Sequence, residues 1–194
     1  MTNVKNYTDQ QILDRVKSIA AGFVDFPDNY WMIYVRSNEN AFNQFDDKRY
    51  LFLGLKCVQV ASCTTNAGEY GLKDFAKYNV SGCAVLKADV IVYDYAERGK
   101  HKGKVDAYRQ AKSWPYFRDN DKDNLAEEIG KEHSDIIGAN LHPSSYIKGK
   151  AGRTGVIGSW STACQVDDLT TAFETFMQMT SEQKKLTVCI LNEW

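Results

Sequence analysis

The 194-residue sequence predicts a β-rich α+β fold built on a mixed sheet, and three observations carry that prediction. Runs of aromatic and β-branched residues recur from Trp31 onward, broken by Gly, Asn and Asp turn chemistry. Two amphipathic stretches, one near each end of the chain, place apolar residues at helical spacing. No internal repeat or low-complexity linker interrupts the pattern, which predicts an N-terminal helical extension at 1–30 and one globular unit at 31–194.

Taken in order, Thr8 and Gln11 form a capping-box signature, and Ile12, Val16 and Ile19 follow at helical spacing. A peripheral helix from Asp9 to Ala21, stopped by Gly22, is predicted. Trp31–Arg36 reads as a strand, Ser37–Asp47 as a polar loop, and Tyr50–Leu53 with Leu55–Ser62 as a hairpin turning near Gly54. Thr64–Gly68 is turn chemistry. Ser81–Leu86 and Val90–Tyr95 read as strands, and Arg98–Lys104 as a basic, glycine-containing loop holding His101. Val105–Ala111 and Trp114–Arg118 follow as strands, with Pro115 arguing for an edge or a break.

Asp119–Asn124 resembles the opening of a calcium loop, but Asn124 and Gly130 stand where that loop needs Gly and Glu. A turn capping a helix over Asn124–His133 is the expected alternative, with His133 at its end. Ile136–His142 reads as a strand and Pro143–Arg153 as a flap-like loop. Asp167 is placed as the N-cap of a helix over Asp168–Met179, whose Leu169, Phe173 and Phe176 form an apolar stripe. Leu186–Leu191 closes the chain as a buried strand containing Cys189.

Composition narrows the function classes. Lys plus Arg is 24 against 25 for Asp plus Glu, a net charge of −1 that favours neither nucleic acid nor an anionic membrane as partner. No apolar run approaches a membrane span, and the N-terminal residues lack a secretory signal core, so synthesis in the cytoplasm is expected. The five cysteines (Cys57, Cys63, Cys83, Cys164, Cys189) are odd in number and show neither paired nor zinc-type spacing. No metal or cofactor is expected on these grounds, and most of the thiols read as small buried hydrophobes.

The exception is Cys164. It ends the small-residue run Gly155–Ala163, and His142 lies 22 residues upstream at the end of a strand-like run. A catalytic thiol needs a neighbour that takes its proton, and an imidazole both takes it and returns it to a leaving group. A position after a strand and before a helix leaves backbone N–H groups free to hold an oxyanion. The small residues Ser161, Thr162 and Ala163 let a substrate approach that backbone. Asn140 shares a strand face with His142, so it either orients the imidazole, binds a substrate carbonyl, or is a plain turn residue. Trp160 and Arg118 are candidate groove residues, with a core aromatic and a surface ion pair as the alternatives. His101 is a reserve base.

The pattern Gly138-x-Asn140-x-His142, a loop, Trp160-Ser161-x-x-Cys164, a helix and a final β-run resembles the catalytic end of L,D-transpeptidases, the YkuD-type domain. The resemblance spans Ile136 to the end of the chain and implies a sandwich-like mixed sheet with a helix after the cysteine. It implies Cys164 as the nucleophile that forms an acyl-enzyme and His142 as the base, oriented by the carbonyl of Pro143. It also implies peptidoglycan stem peptides as substrate and support from Ser161 and Ala163 in the box; Arg118, Trp160 and Gln165 are expected from their own positions to contact the peptide. Thr162 and Ala163 replace the family's box His and Gly, and Gln165-Val166 replaces its following polar group. Those departures weaken crosslink formation more than hydrolysis. Three functions are therefore expected in order: cysteine-dependent acyl transfer or hydrolysis on stem peptides, a catalytically silent wall-binding or phage structural module, and a cysteine peptidase that uses His101. Without a signal peptide, action at the wall after lysis or as a virion component is the expected setting.

Overall fold

The strands over Tyr30–Arg36, Asp47–Leu53 and Lys185–Asn192 are buried along most of their length, whereas those over Lys56–Thr64, Val90–His101 and Val105–Gln110 keep exposed positions, as the principal sheet wraps around its own core. The computed structural model describes residues 4–194. Eight strands form a closed, barrel-like ring: β1 (Tyr30–Arg36), β2 (Asp47–Leu53), β3 (Lys56–Thr64), β5 (Val90–His101), β6 (Val105–Gln110), β9 (Leu141–Pro143), β10 (Gln165–Asp167) and β11 (Lys185–Asn192). The ring order is β1-β11-β5-β6-β9-β10-β3-β2. Pairing is mixed: β1 runs parallel to β11 and β9 to β10, and the remaining pairs are antiparallel. The β-rich, mixed character is as the sequence indicates. Where a sandwich was expected, the ends of the sheet meet, since β1 takes β11 on one side and the β2–β3 hairpin reaches β10 on the other.

Three further strands, β4 (Cys83–Leu86), β7 (Trp114–Asp119) and β8 (His133–Asp135), make a separate sheet in the order β4-β7-β8. Pro115 points to an edge or a break, and the edge is not found, since β7 is the central strand. Pro115 sits just past the last β4 pair, Leu86 with Tyr116, and only its carbonyl is used there, accepting from Lys87 N–H at 2.8 Å.

The N-terminal helix α1 (Asp9–Ile19) forms as its capping box predicts, with both reciprocal Thr8–Gln11 contacts present. Its Ile12, Leu13 and Val16 pack on Trp31, Ile33, Phe52 and Leu191 on the outside of the ring. A short α2 (Glu69–Lys73), not foreseen in the sequence, follows β3. The last helix, α3 (Thr170–Met179), buries Phe173 and Phe176 against the barrel core of Met32, Tyr108 and Leu186. Among the described residues no helix is long and apolar enough to cross a membrane.

Four local expectations are corrected. No helix forms over Asn124–His133: the segment is irregular until β8, and His133 stacks on Tyr116 at 5.3 Å. Its polar groups are claimed from outside, Glu128 by Arg36 and by Ala88 N–H, both at 2.7 Å. The basic segment Arg98–Lys104 is largely strand, because β5 continues to His101 before turning at Lys102 and Gly103. The Ile136–His142 run is strand only from Leu141. Asp167 does not cap α3: Leu169 holds the N-cap position, and Asp167 lies buried in β10 against Arg49.

Candidate active site

Two short parallel strands bring Cys164 and His142 together. Gln165 lies opposite Leu141 and Val166 opposite His142, and Gln165 N–H donates to the Asn140 carbonyl at 3.0 Å. Cys164 and Asn140 are thus neighbours where β10 and β9 begin. The β5–β6 hairpin supplies a third group, His101, whose ring stacks on that of His142 with centroids 3.9 Å apart and planes 21° apart. One ring nitrogen of each histidine and the Cys164 sulfur all lie within 4.8 Å of one another, and all three residues are buried.

The hydrogen bonds fix which nitrogens are bare. His142 Nδ1 is 2.9 Å from the Pro143 carbonyl, which can only accept, so Nδ1 carries the proton and the lone pair sits on Nε2. This is the contact the family resemblance implies for Pro143. Nε2 is buried without a well-formed hydrogen bond, and the Trp160 carbonyl is a second backbone acceptor beside the ring. The Asn140 amide is oriented by Gln110 N–H, which donates to its Oδ1 at 2.9 Å; its Nδ2 therefore donates to His101 Nδ1 at 3.2 Å. The Cys164 thiol donates to the Gly138 carbonyl at 3.6 Å.

Burial dominates the electrostatics. It pushes the Cys164 thiol up to about 11, against the opposing pull of a backbone hydrogen bond from Asn140 and the Lys102 charge. It pushes His142 down to about 3, with His101 adding to the effect, and His101 down to about 4, with Lys102 adding. The resting site is therefore a neutral thiol beside two neutral imidazoles. A preformed thiolate, which sequence reasoning would want for a reactive cysteine, is not the resting state.

The residues around the cysteine are held from several directions. Ser161 Oγ donates to the Cys164 carbonyl at 2.9 Å, and the Ser161 carbonyl accepts from Gly68 N–H at 3.0 Å. A side chain at Gly68 would fall on the Gly158 backbone, and a Cβ at Gly71 would lie 3.2 Å from Thr162 Cα and 2.7 Å from Ala67 Cβ. Two glycines therefore let α2 press against the box. Ala163 is buried, and its carbonyl accepts from Gln165 Nε2 at 3.2 Å. Gln165 Oε1 is left buried without a partner. Trp160 packs on the cluster of Phe45, Ile157, Cys164 and Val166, and meets Tyr146 edge-on at 5.0 Å.

Arg118 does not join this group. It donates to the Gly82 carbonyl at 3.1 Å and lies over the Tyr116 ring, lining a cavity of about 160 Å³ that also touches Thr162 and Ala163. A larger cavity of about 600 Å³ lies between Pro143, Tyr146, Lys104 and Phe173. The Pro143–Arg153 flap borders it. Asp168 fastens the flap's base: its Oδ1 accepts from Thr154 and Gly155 N–H at 3.0 and 3.1 Å, and its Oδ2 from Arg153 at 2.7 Å.

Sequence reasoning missed Gln110 and Tyr146 and held His101 only in reserve. Gln110 organises the segment before β9, its Oε1 accepting from Ile137 and Ala139 N–H, both at 2.9 Å. Nothing in its spacing signals that role, and His101 reaches the site only because β5 runs longer than its apolar pattern. No protein-family model, curated protein or solved structure matches this chain.

Proposed function

We propose that this protein is a cysteine-dependent acyl-transfer enzyme or hydrolase of the YkuD type, acting on peptidoglycan stem peptides. The observation that carries the reading is a buried His142 ring, tied through Nδ1 to the Pro143 carbonyl, with one ring nitrogen within 4.8 Å of the Cys164 sulfur. As the sulfur attacks a stem-peptide carbonyl, His142 Nε2 takes the thiol proton and the S–C bond forms. Backbone N–H groups at Ala163–Cys164 face the developing oxyanion. The C–N bond then breaks, the amine leaves with the proton from His142, and a thioester remains. Water or an amine attacks the thioester, gives its proton to His142, and Sγ departs and recovers it. Because burial disfavours both charges at rest, proton transfer accompanies attack instead of preceding it.

Trp160 and Tyr146 are the side chains set to meet the peptide; Gln165, 1% exposed, meets it only where its buried Oε1 is uncovered. Arg118 acts, on this reading, only on a segment that reaches the Thr162–Ala163 side. Water is the favoured acceptor, given Thr162 and Ala163 in the box. Action on the wall after lysis or from a virion belongs to the same proposal. The test is incubation with purified muropeptides, wild type beside Cys164→Ala, followed by mass spectrometry. Loss of product in the variant supports the reading; equal product in both contradicts it.

A catalytically silent wall-binding module is the second reading, and the burial of Cys164 beneath Trp160 favours it. Sedimentation of wild type and Cys164→Ala with intact peptidoglycan, with no product from either, would point to it.

A further inference from the structure

The sequence offers no zinc-type spacing, yet the fold assembles two imidazoles and a thiol from β5, β9 and the turn before β10. We propose that His101, His142 and Cys164 form a binding site for a thiophilic divalent cation such as zinc, and that its occupation blocks Cys164 as a nucleophile. The blocking half rests on the catalytic reading above; the binding half does not.

Two independent observations support the site. The three donor atoms lie within 4.8 Å of one another. Tetrahedral zinc, with bonds of about 2.0 Å to nitrogen and 2.3 Å to sulfur, needs its ligand atoms about 3.5 Å apart, so side-chain rotations of an ångström or so complete it. The second observation is Nε2 of His142, which makes no well-formed hydrogen bond on a side chain with 0% exposure. A bare lone pair buried without a donor is costly, and a cation is one of the few partners that satisfy it without a proton. The Pro143 carbonyl holds the ring as an outer partner holds a metal-bound histidine. His101 contributes one ring nitrogen; if that is Nδ1, it gives up the long 3.2 Å contact from Asn140.

The donor set decides the ion. One thiolate and two imidazoles suit zinc or cobalt and exclude magnesium and calcium, which take oxygen ligands. Coordination replaces the S–H bond with an S–metal bond and releases one proton to solvent, with no change in oxidation state. Three protein ligands leave a fourth position for water or a substrate group. With the sulfur lone pair engaged, attack on a carbonyl stops until the metal leaves. The acidic group Asp121, Asp123 and Glu127 shares no residue with this site and carries nothing comparable, since Asp121 and Asp123 are exposed.

The test uses the purified full chain, stripped with chelator, and cobalt as a spectroscopic probe. One equivalent of cobalt is expected to give tetrahedral visible bands and a near-ultraviolet thiolate-to-cobalt band, both displaced by zinc. Cys164→Ser removes the near-ultraviolet band, His101→Gln weakens binding at least tenfold, and Cys57→Ser changes neither. Because a variant can fail by misfolding, the wild-type protein supplies a second measurement. Zinc is expected to slow iodoacetamide labelling of Cys164, read by peptide mass spectrometry, at least tenfold, with chelator restoring it and magnesium without effect. A thiolate band that persists in Cys164→Ser, or labelling indifferent to zinc, overturns the site. If the site binds cobalt but no muropeptide is ever processed, the binding stands and the catalytic reading fails. If muropeptide processing rises with zinc, the blocking half is overturned.

Discussion

His142 carries its proton on the nitrogen facing Pro143, and that contact decides which part of the ring is available to Cys164. The same accounting of lone pairs applies away from the site. Asp46 and Asp47 are adjacent, buried carboxylates that tie down the Ser37–Asp47 loop, Asp46 accepting from Ala41 N–H and Asp47 from Ser37 and Thr65 N–H, all at 2.7–2.8 Å. Burial first, and the Asp47 charge second, push Asp46 up to about 7. Its folded pKa lies above the unfolded value near ~3.9, so the native state holds the proton more tightly. That contribution is full below the unfolded pKa and is lost as pH rises through about 7. Asp46→Asn, which keeps the acceptor oxygen, should therefore be more stable than wild type at pH 8, with the gap closing at pH 4. Urea denaturation at the two pH values measures it, and a gap independent of pH would contradict it.

Among elements, those governed by local pattern were legible: the capping box of α1, the hairpin turning at Gly54, and the β11 core strand all stand where the sequence put them. The misses share one cause, polar groups whose partners lie far along the chain. Asp167-Asp168 before an apolar helical stripe looks like a cap, but Arg49, 118 residues away, takes the first and the flap takes the second. Asn124–His133 has helix-forming residues, but Arg36 and Ala88 draw Glu128 out of any helical turn. The candidate pair Cys164–His142 was visible from spacing; its third member was not, because no short-range pattern shows that the β5–β6 turn folds over β9. The flap gives a prediction at this scale. Asp168→Ala strands the Thr154 and Gly155 N–H groups and should cost about 1–3 kcal/mol. Hydrogen exchange at 144–155 should accelerate relative to β1 and β11, and unchanged exchange there would show that Asp168 is not the fastening.

For the molecule as a whole, the closed ring depends on short β10 joining β9 to β3, and a buried ion pair secures that junction. Arg49 meets Asp167 at 2.6 Å with both side chains nearly fully enclosed. Burial works against both charges: Asp167 still holds the Arg49 guanidinium above its ordinary value, while burial outweighs Arg49 and holds the Asp167 carboxyl above its own. Arg49→Met leaves the carboxylate buried alone and should cost about 3–5 kcal/mol by urea denaturation; a loss below 1 kcal/mol would mean that the junction does not need the pair. Cys164 precedes that same strand, so this short junction of the ring and the candidate nucleophile share a position. The central claim is that this sulfur becomes covalently acylated, and rapid-quench intact-mass analysis with a defined stem peptide tests it most directly. Acylation at Cys164 gives a transient mass increase equal to the donor acyl group, mapped to the peptide containing Cys164 and absent from Cys164→Ala. Product released while that peptide stays unmodified at every quench time, and at the same rate from Cys164→Ala, would contradict it.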